Sequence, residues 1–336
     1  MVAPVQEPAA HIPVLRDEVL SSLSVQDNDT ILDGTFGAGG YSRAILENSK
    51  ATVYAIDRDP TAISRGRLME KEFAGRLHVL EGCFSQMEGL LAGVGVAKVD
   101  GVVLDVGVSS MQLDEAERGF SFNNDGPLDM RMSSRGLSAA DVVNGYDEGQ
   151  LTEIFKDLGE EKHAGLVARA IIKDREEEQF TTTKQLADLV ERLIRPFNKG
   201  SKKKGKKKTH PATKIFQALR IYVNDELGEL ESGLNAAKRI LATGGRLAIV
   251  SFHSLEDRMV KTFLLNESGN EPKGSRHLPD PSTSTAKPTF KLLKKGTIKP
   301  SEEELVRNKR SRSARLRVAI RTDAPVVVPV AAEEQL

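Results

Sequence analysis

The chain is poor in the features that mark secreted, disulfide-bonded or membrane proteins. One cysteine, Cys83, occurs in 336 residues, which excludes an intramolecular disulfide and a cysteine-based zinc site within one chain. No apolar run approaches the roughly 18 residues needed to span a bilayer. The segment 1–10 is rich in proline and alanine and lacks a basic stretch followed by an apolar one, so it does not read as a secretory signal. These absences set the expectation of a soluble, cytoplasmic protein. Net charge is absent too, since 48 Lys and Arg balance 48 Asp and Glu. The balance is global only. Lysines crowd 199–208, and Arg307, Lys309, Arg310, Arg312, Arg315 and Arg317 crowd a region near the C-terminus. In a neutral protein such clusters point to a polyanion contacted at particular places. The lysine run reads equally as a solvated loop.

What is present is a nucleotide-type fingerprint. The apolar run Ile31-Leu32-Asp33 breaks into Gly34-Thr35-Phe36-Gly37-Ala38-Gly39-Gly40-Tyr41, and a second run, Val53-Tyr54-Ala55-Ile56, ends in Asp57. This is the layout of two neighbouring parallel strands with a ligand at their carboxyl ends. Glycine lets backbone approach a ligand closely, and an Asp at the second strand tip suits a ribose diol. A dinucleotide loop needs a third small residue, but counting from Gly37 puts Ser42 there. No Gly-Lys-Ser/Thr follows, so a phosphate-cradling loop is excluded as well. S-Adenosylmethionine, which has ribose and adenine but no phosphate, fits what remains. The glycines alone also read as a plain strand-to-helix turn; Asp57 favours the ligand reading.

Strand and helix signals alternate through the first third, with strands expected at 30–36, 52–57, 77–80 and 99–105 and helices at 41–47 and 62–72. Such apolar runs separated by helical patterns indicate a parallel sheet covered on both faces. Helical patterns then dominate from 112 to 209, including 138–143, 148–157, 163–175 and 184–195. A long helix is expected at 212–241, capped by Gly244-Gly245. It is followed by a strand at 246–252, a helix at 255–265, an irregular polar stretch at 266–289 and a last strand at 316–321. The expected organisation is a flexible 1–10, a discontinuous α/β domain at 11–111 and 210–322, a helical insertion at 112–209, and a flexible 323–336. Material inserted at strand carboxyl ends is well placed to hold a substrate.

Several segments together carry a family resemblance. They are His11-Ile12-Pro13-Val14-Leu15, Asp33-Gly34-Thr35-Phe36-Gly37, Ala55-Ile56-Asp57-Arg58-Asp59-Pro60 and Leu104-Asp105-Val106-Gly107-Val108-Ser109-Ser110, with Gln112-Leu113-Asp114 beyond. Glu117-Arg118-Gly119-Phe120-Ser121-Phe122, Gly126-Pro127-Leu128-Asp129-Met130-Arg131-Met132, His210-Pro211-Ala212-Thr213 and Ser251-Phe252-His253-Ser254-Leu255-Glu256-Asp257-Arg258 complete the set. In this order they resemble the bacterial 16S rRNA cytosine-N4 methyltransferases, which act on a cytidine of the decoding region. The resemblance implies a Rossmann-like S-adenosylmethionine methyltransferase sheet with an inserted all-helical domain for substrate recognition. It implies 16S rRNA in the small ribosomal subunit as partner, and a homodimer as one permitted state. It further implies that Gly39, Gly40 and Tyr41 line the cofactor, that Asp57 holds the ribose, that Phe84 lies beside adenine, and that Asp105 and Gln112 complete the pocket.

Cytosine N4 is a poor nucleophile because its lone pair is delocalised, so transfer depends on alignment and on acceptors for its N–H bonds. Amino-methylating enzymes often carry an Asp/Asn/Ser-Pro-Pro-aromatic segment for this. Here Asp105 is followed by Val-Gly-Val-Ser-Ser. Candidate acceptors are therefore Asp105, or the backbone and hydroxyls near Ser109 and Ser110, and His253 is a candidate for the released proton. The competing reading makes Asp105 a cofactor ligand only, the serines loop formers and His253 structural. Attack at cytosine C5 needs a positioned thiol; Cys83 lacks the Pro-Cys context and reads as a buried small residue. Asp125 and Asp129 around Gly126-Pro127 read as turn formers, and no metal is expected. Phe120, Phe122, Met130 and Met132 read as base-entry wall or as packing, with Arg118 and Arg131 as phosphate or base contacts. A DNA amino-methyltransferase and a non-catalytic ribosome-assembly factor binding rRNA through the same fold are the alternatives.

Overall fold

The computed structural model describes residues 13–133, 135–197, 210–270 and 287–326. The expected flexible N-terminus, the lysine run and most of the polar stretch 266–289 lie outside them. The chain forms two compact units. One holds residues up to Asp57, Thr61–Val106 and the chain from Glu229 onward; the other holds Arg58–Pro60 and Gly107–Gly228.

The first unit is built on β1 (Thr30–Asp33), β2 (Thr52–Asp57), β3 (Leu77–Glu81), β4 (Val99–Asp105), β5 (Leu241–Ser251), β6 (Phe290–Leu292) and β7 (Arg315–Arg321). They form one sheet in the order β3-β2-β1-β4-β5-β7-β6. The first five are mutually parallel, whereas β7 runs antiparallel to both β5 and β6. The sheet is thus mixed, not wholly parallel as the apolar runs alone suggested. Successive strand residues point to opposite faces. Ile31, Val53, Val103 and Ala248 accordingly join one core with Val19 and Ile45 from helices Arg16–Leu23 and Gly40–Asn48. Leu32, Val102, Leu104 and Leu247 join the opposite core with Met87, Leu234 and Val260. Burial on both faces is why these strands read as continuous apolar runs.

Two expectations are corrected at the entry to β5. The long helix at 212–241 is two helices, Thr213–Asn224 and Glu226–Ile240, broken at Asp225 in the left-handed region with φ 47°. Gly244-Gly245 does not cap a helix. Val99 pairs with Leu241 and Gly101 with Arg246, so the glycines sit in a bulge inside β5, Gly244 at φ 86°. The order β3-β2-β1 runs one way and β4-β5 the other, which puts a topological switch point between β1 and β4. Ligands of open α/β sheets bind at the carboxyl ends there.

The second unit is helical, with Ala139–Gly145, Glu148–Asp157, Ala164–Arg175, Thr183–Ile194 and Thr213–Asn224 around Phe155, Leu186, Val190, Ile215 and Leu219. The last of these helices lies beyond the boundary expected at 209. Ser138, Asp147 and Thr182 each cap a helix N-terminus, with Asp141, Gln150 and Gln185 completing reciprocal capping boxes. Phe120, Met130 and Met132 are buried in this core and Phe122 packs against it, its ring tilted against His210 and edge-on to Phe216.

Buried Asn224 ties that packing together. Its Oδ1 accepts the Met132 N–H at 2.8 Å and its Nδ2 donates to the Met130 carbonyl at 2.7 Å, across a Met130 backbone held at φ 63°. Asn224→Ala strips a partner from a donor and an acceptor. It should cost about 2–4 kcal/mol, read as a lower urea midpoint at unchanged slope.

Candidate active site

The switch point gathers three carboxylates at neighbouring strand tips: Asp57 on β2, Asp33 on β1 and Asp105 on β4. Backbone bonds lock the glycine turn among them. The Gly34 N–H donates to the Val103 carbonyl at 2.9 Å, and the Phe36 N–H to the Ile56 carbonyl at 3.0 Å. Gly37 donates its N–H to Asp57 Oδ2 at 2.7 Å, so the turn and the second strand tip are one unit. Gly39 sits at φ 78°, where a Cβ is strained, and one added there would lie 2.7 Å from the Phe36 ring. Gly40 opens the following helix against Pro13. Tyr41 is turned inward, its hydroxyl donating to the Val14 carbonyl. Burial first, and the Asp105 and Asp33 charges after it, push its phenol well above the ordinary value.

Phe84 lies beyond β3 and is seated by two glycines. A Cβ on Gly233 would lie 2.4 Å from the Phe84 ring, and one on Gly34 3.3 Å from its Cβ. Glycine inside a helix costs about 1 kcal/mol relative to alanine; Gly233, within Glu226–Ile240, is therefore a signal in the sequence that was there to be read. Cys83, partly buried, precedes the short turn that carries Phe84.

Asp33 is fully buried. It accepts the Ser42 hydroxyl at 2.7 Å and the Thr35 N–H at 3.2 Å. Burial outweighs these bonds and, with the Asp57 charge, raises its carboxyl to about 6. Asp105 is partly buried. Its N–H donates to Thr35 Oγ1 at 2.7 Å. Its carboxyl is pushed well up by burial, then by Asp33 and Glu256. Among the described residues only three buried side-chain polar atoms lack a hydrogen-bond partner: Asp105 Oδ1, His253 Nε2 and Glu256 Oε1. They belong to the carboxyl end of β4 and to the segment that follows β5.

His253 caps the helix Ser254–Glu267. Its Nδ1 accepts the Glu256 N–H at 3.4 Å, and its Nε2 lies 2.9 Å from Glu256 Oε1 without a hydrogen bond. Glu256 Oε2 takes the N–H groups of Phe252 and His253 at 2.8 and 3.2 Å. Both ring nitrogens thus face Glu256, a partner the sequence reading missed.

The remaining candidates lie in the helical unit. Ser109 caps Ser110–Asp114, its Oγ accepting the Gln112 N–H at 3.2 Å, and Ser110 is the first residue of that helix. Gln112 is buried, returning Oε1 to the Ser109 N–H at 3.0 Å and donating Nε2 to Asp59 at 2.8 Å. Asp59 also pairs with Arg118 at 2.9 Å, and Arg118 donates to the Arg131 and Met132 carbonyls. Arg131 is clamped by Asp129 at 2.6 Å. Burial would raise the Asp129 carboxyl, but the Arg131 hydrogen bonds and charge hold it below the ordinary value. Asp125 caps the helix Thr183–Ile194 through the Lys184 N–H at 3.1 Å.

The model of the MraW methylase family matches residues 8–322. The chain belongs to this family. It is 56% identical over 317 residues to proteins named ribosomal RNA small subunit methyltransferase H from Brucella canis and Brucella abortus, covering 94% of this chain and 88% of theirs. The Brucella ovis protein of that name is 56% identical over 315 residues, 93% of this chain and 88% of its own. Among solved structures, the N-methyltransferase NodS from Bradyrhizobium japonicum WM9 is a remote likeness, with TM-score 0.40 and 10% identity over 92% of this chain and 94% of that one.

The buried Asp33 gives this methylase a pH signature. The unfolded carboxyl titrates near 3.8 and the folded one at about 6, so the native state holds its proton to higher pH. Stability should fall as pH rises between those values, by up to about 3 kcal/mol, then level off. Asn at this position keeps an acceptor for the Thr35 N–H and removes the titration. Urea unfolding of wild type and Asp33→Asn from pH 4 to 8 should diverge within that window; parallel curves would contradict the assignment.

Proposed function

We propose that the protein is an S-adenosylmethionine-dependent methyltransferase acting on the N4 amino group of a cytidine in 16S rRNA of the small ribosomal subunit. The observation that carries it is Asp105 Oδ1, a buried acceptor without a partner at the β4 tip, beside the glycine turn. An exocyclic amine brings the donor such an atom needs. The RNA comes from the relatives, whose name specifies the small-subunit ribosomal RNA. The cytoplasm, where that subunit is assembled, is the compartment this reading requires, and a homodimer belongs to it on the resemblance alone.

The residues present fit the cofactor. A carboxylate accepts several hydrogen bonds at once, so Asp57 can hold a ribose diol while it fixes Gly37. Phe84, held between Gly34 and Gly233, offers an apolar face for adenine. When bound, S-adenosylmethionine supplies an electrophilic methyl carbon on a sulfonium. Transfer of that methyl to N4 would form the N–C bond as the S–C bond broke, and one N4 proton would have to leave. Asp105 accepts the N4–H bond and so raises electron density on the nitrogen. In its ionised form it can take that proton. Asp33 and Glu256 raise its affinity for a proton and so favour that transfer. His253, turned onto Glu256, orients the end of β5 in this arrangement.

Asp57→Ala should weaken S-adenosylmethionine binding about 10–100-fold, the range for lost hydrogen bonds to a charged group, in a calorimetric titration. Asp105→Asn should cut single-turnover methylation about 10²–10⁴-fold while cofactor affinity stays within about threefold; full turnover at normal affinity would remove Asp105 from the chemistry. The direct test offers labelled S-adenosylmethionine and small subunits from a strain lacking the modification, with nucleoside analysis by mass spectrometry. N4-methylcytidine is the expected product. Cofactor binding without transfer would instead favour the assembly-factor reading.

A further inference from the structure

We propose that the concave surface formed by the helix Ser254–Glu267, β6 and β7 is a docking site for the phosphodiester backbone of the RNA substrate, separate from the residues that hold cofactor. It rests on the reading above, that small-subunit RNA is the substrate, and adds where on this unit that RNA is gripped.

A cavity of about 330 Å³ opens here, with Leu264, Leu265, Leu292 and Val318 among its lining. Five cations line it as well: Lys261 from the helix, Lys294 and Lys299 from the segment after β6, and Arg315 and Arg317 from β7. None of its lining residues is acidic. The two arginines are held in place by buried Asp257, at 2.6 and 2.8 Å. One carboxylate between two guanidiniums leaves that group a net positive charge. Lys261, Lys294 and Lys299 are exposed, and no ion pair engages them among the described residues.

The shape selects a chain over a small anion. A second cavity of about 700 Å³ shares Leu265, Leu292 and Gly296 with the first and continues along the sheet edge past Lys287, Lys291 and Lys295. Asp323 is its one acidic lining residue. Six lysines spaced along two adjoining hollows make a track, and a track matches charges repeated along a backbone. Lysines on long flexible stems suit phosphates whose positions vary with sequence, and they carry no base specificity. Five of them, Lys287, Lys291, Lys294, Lys295 and Lys299, fall within 287–299 of the sequence, and the fold brings Lys261 to them.

The test compares the full-length protein with a Lys261→Gln/Lys294→Gln/Lys299→Gln triple variant and the corresponding triple lysine-to-arginine variant. The substrate is small subunits lacking the methyl group, with a single-stranded RNA oligonucleotide as a second probe. Removing one lysine–phosphate pairing should lower the slope of log affinity against log salt by about 0.7 for single strands, so the glutamine triple should lose about 2. Its subunit affinity should drop roughly tenfold or more, raising KM with kcat and S-adenosylmethionine affinity unchanged, and the arginine triple should restore binding. An unchanged slope and KM in the glutamine triple overturns the proposal. So does loss of inorganic phosphate binding in that variant while its RNA affinity is kept, since the hollow would then be a small-anion site. Wild-type protein that neither binds nor methylates subunits is a different failure: it overturns the functional reading itself.

Discussion

The fold is governed by the need to keep carboxylates dry where the strand order reverses. Asp33 and Asp105 end neighbouring strands; Asp33 is fully buried, and the Oδ1 of partly buried Asp105 is shut off from water. Two ionised carboxylates in such a place cost too much, and each raises the affinity of the other for a proton. The surroundings are arranged around that cost. Ser42 and Thr35 satisfy Asp33, the Thr35 hydroxyl ties the Asp105 backbone to the turn, and Asp57, at the more open edge, takes the Gly37 N–H. The turn that would hold a ligand and the acids that would do chemistry are one network.

What was legible in the sequence was local. β2 and β4 follow from apolar runs of β-rich composition, and the tie between Gly37 and Asp57 joins two motifs that already stood out. What was hidden depends on partners far along the chain. Nothing near Phe84 announces Gly233, though a helical glycine is itself a hint. The bulge at Gly244 and the break at Asp225 look from sequence like one long helix and its cap, because Leu and Ala continue the helical pattern across both. β6, of three residues, is too short to produce a periodic signal. β7 reads as a strand, but its direction is set by pairing with β5, which no local pattern records.

Charge shows the same division. Arg118, Arg131, Arg315 and Arg317 invite assignment to nucleic acid from the sequence, and the structure shows that each also engages a carboxylate of the protein. Five lysines of the outer face lie close together in sequence, within 287–299, and the fold adds Lys261 from a distant helix.

The position of β7 bears on how the molecule is made. β4 lies in the middle of the sheet, but its second neighbour, β5, begins only at Leu241, after the whole helical unit, and β5 in turn is covered by residues 315–321. Emerging from a ribosome, the first four strands would form a half-sheet with one raw hydrogen-bonding edge while the intervening helices are still being added. Such distant closure slows folding and leaves an edge open to wrong partners.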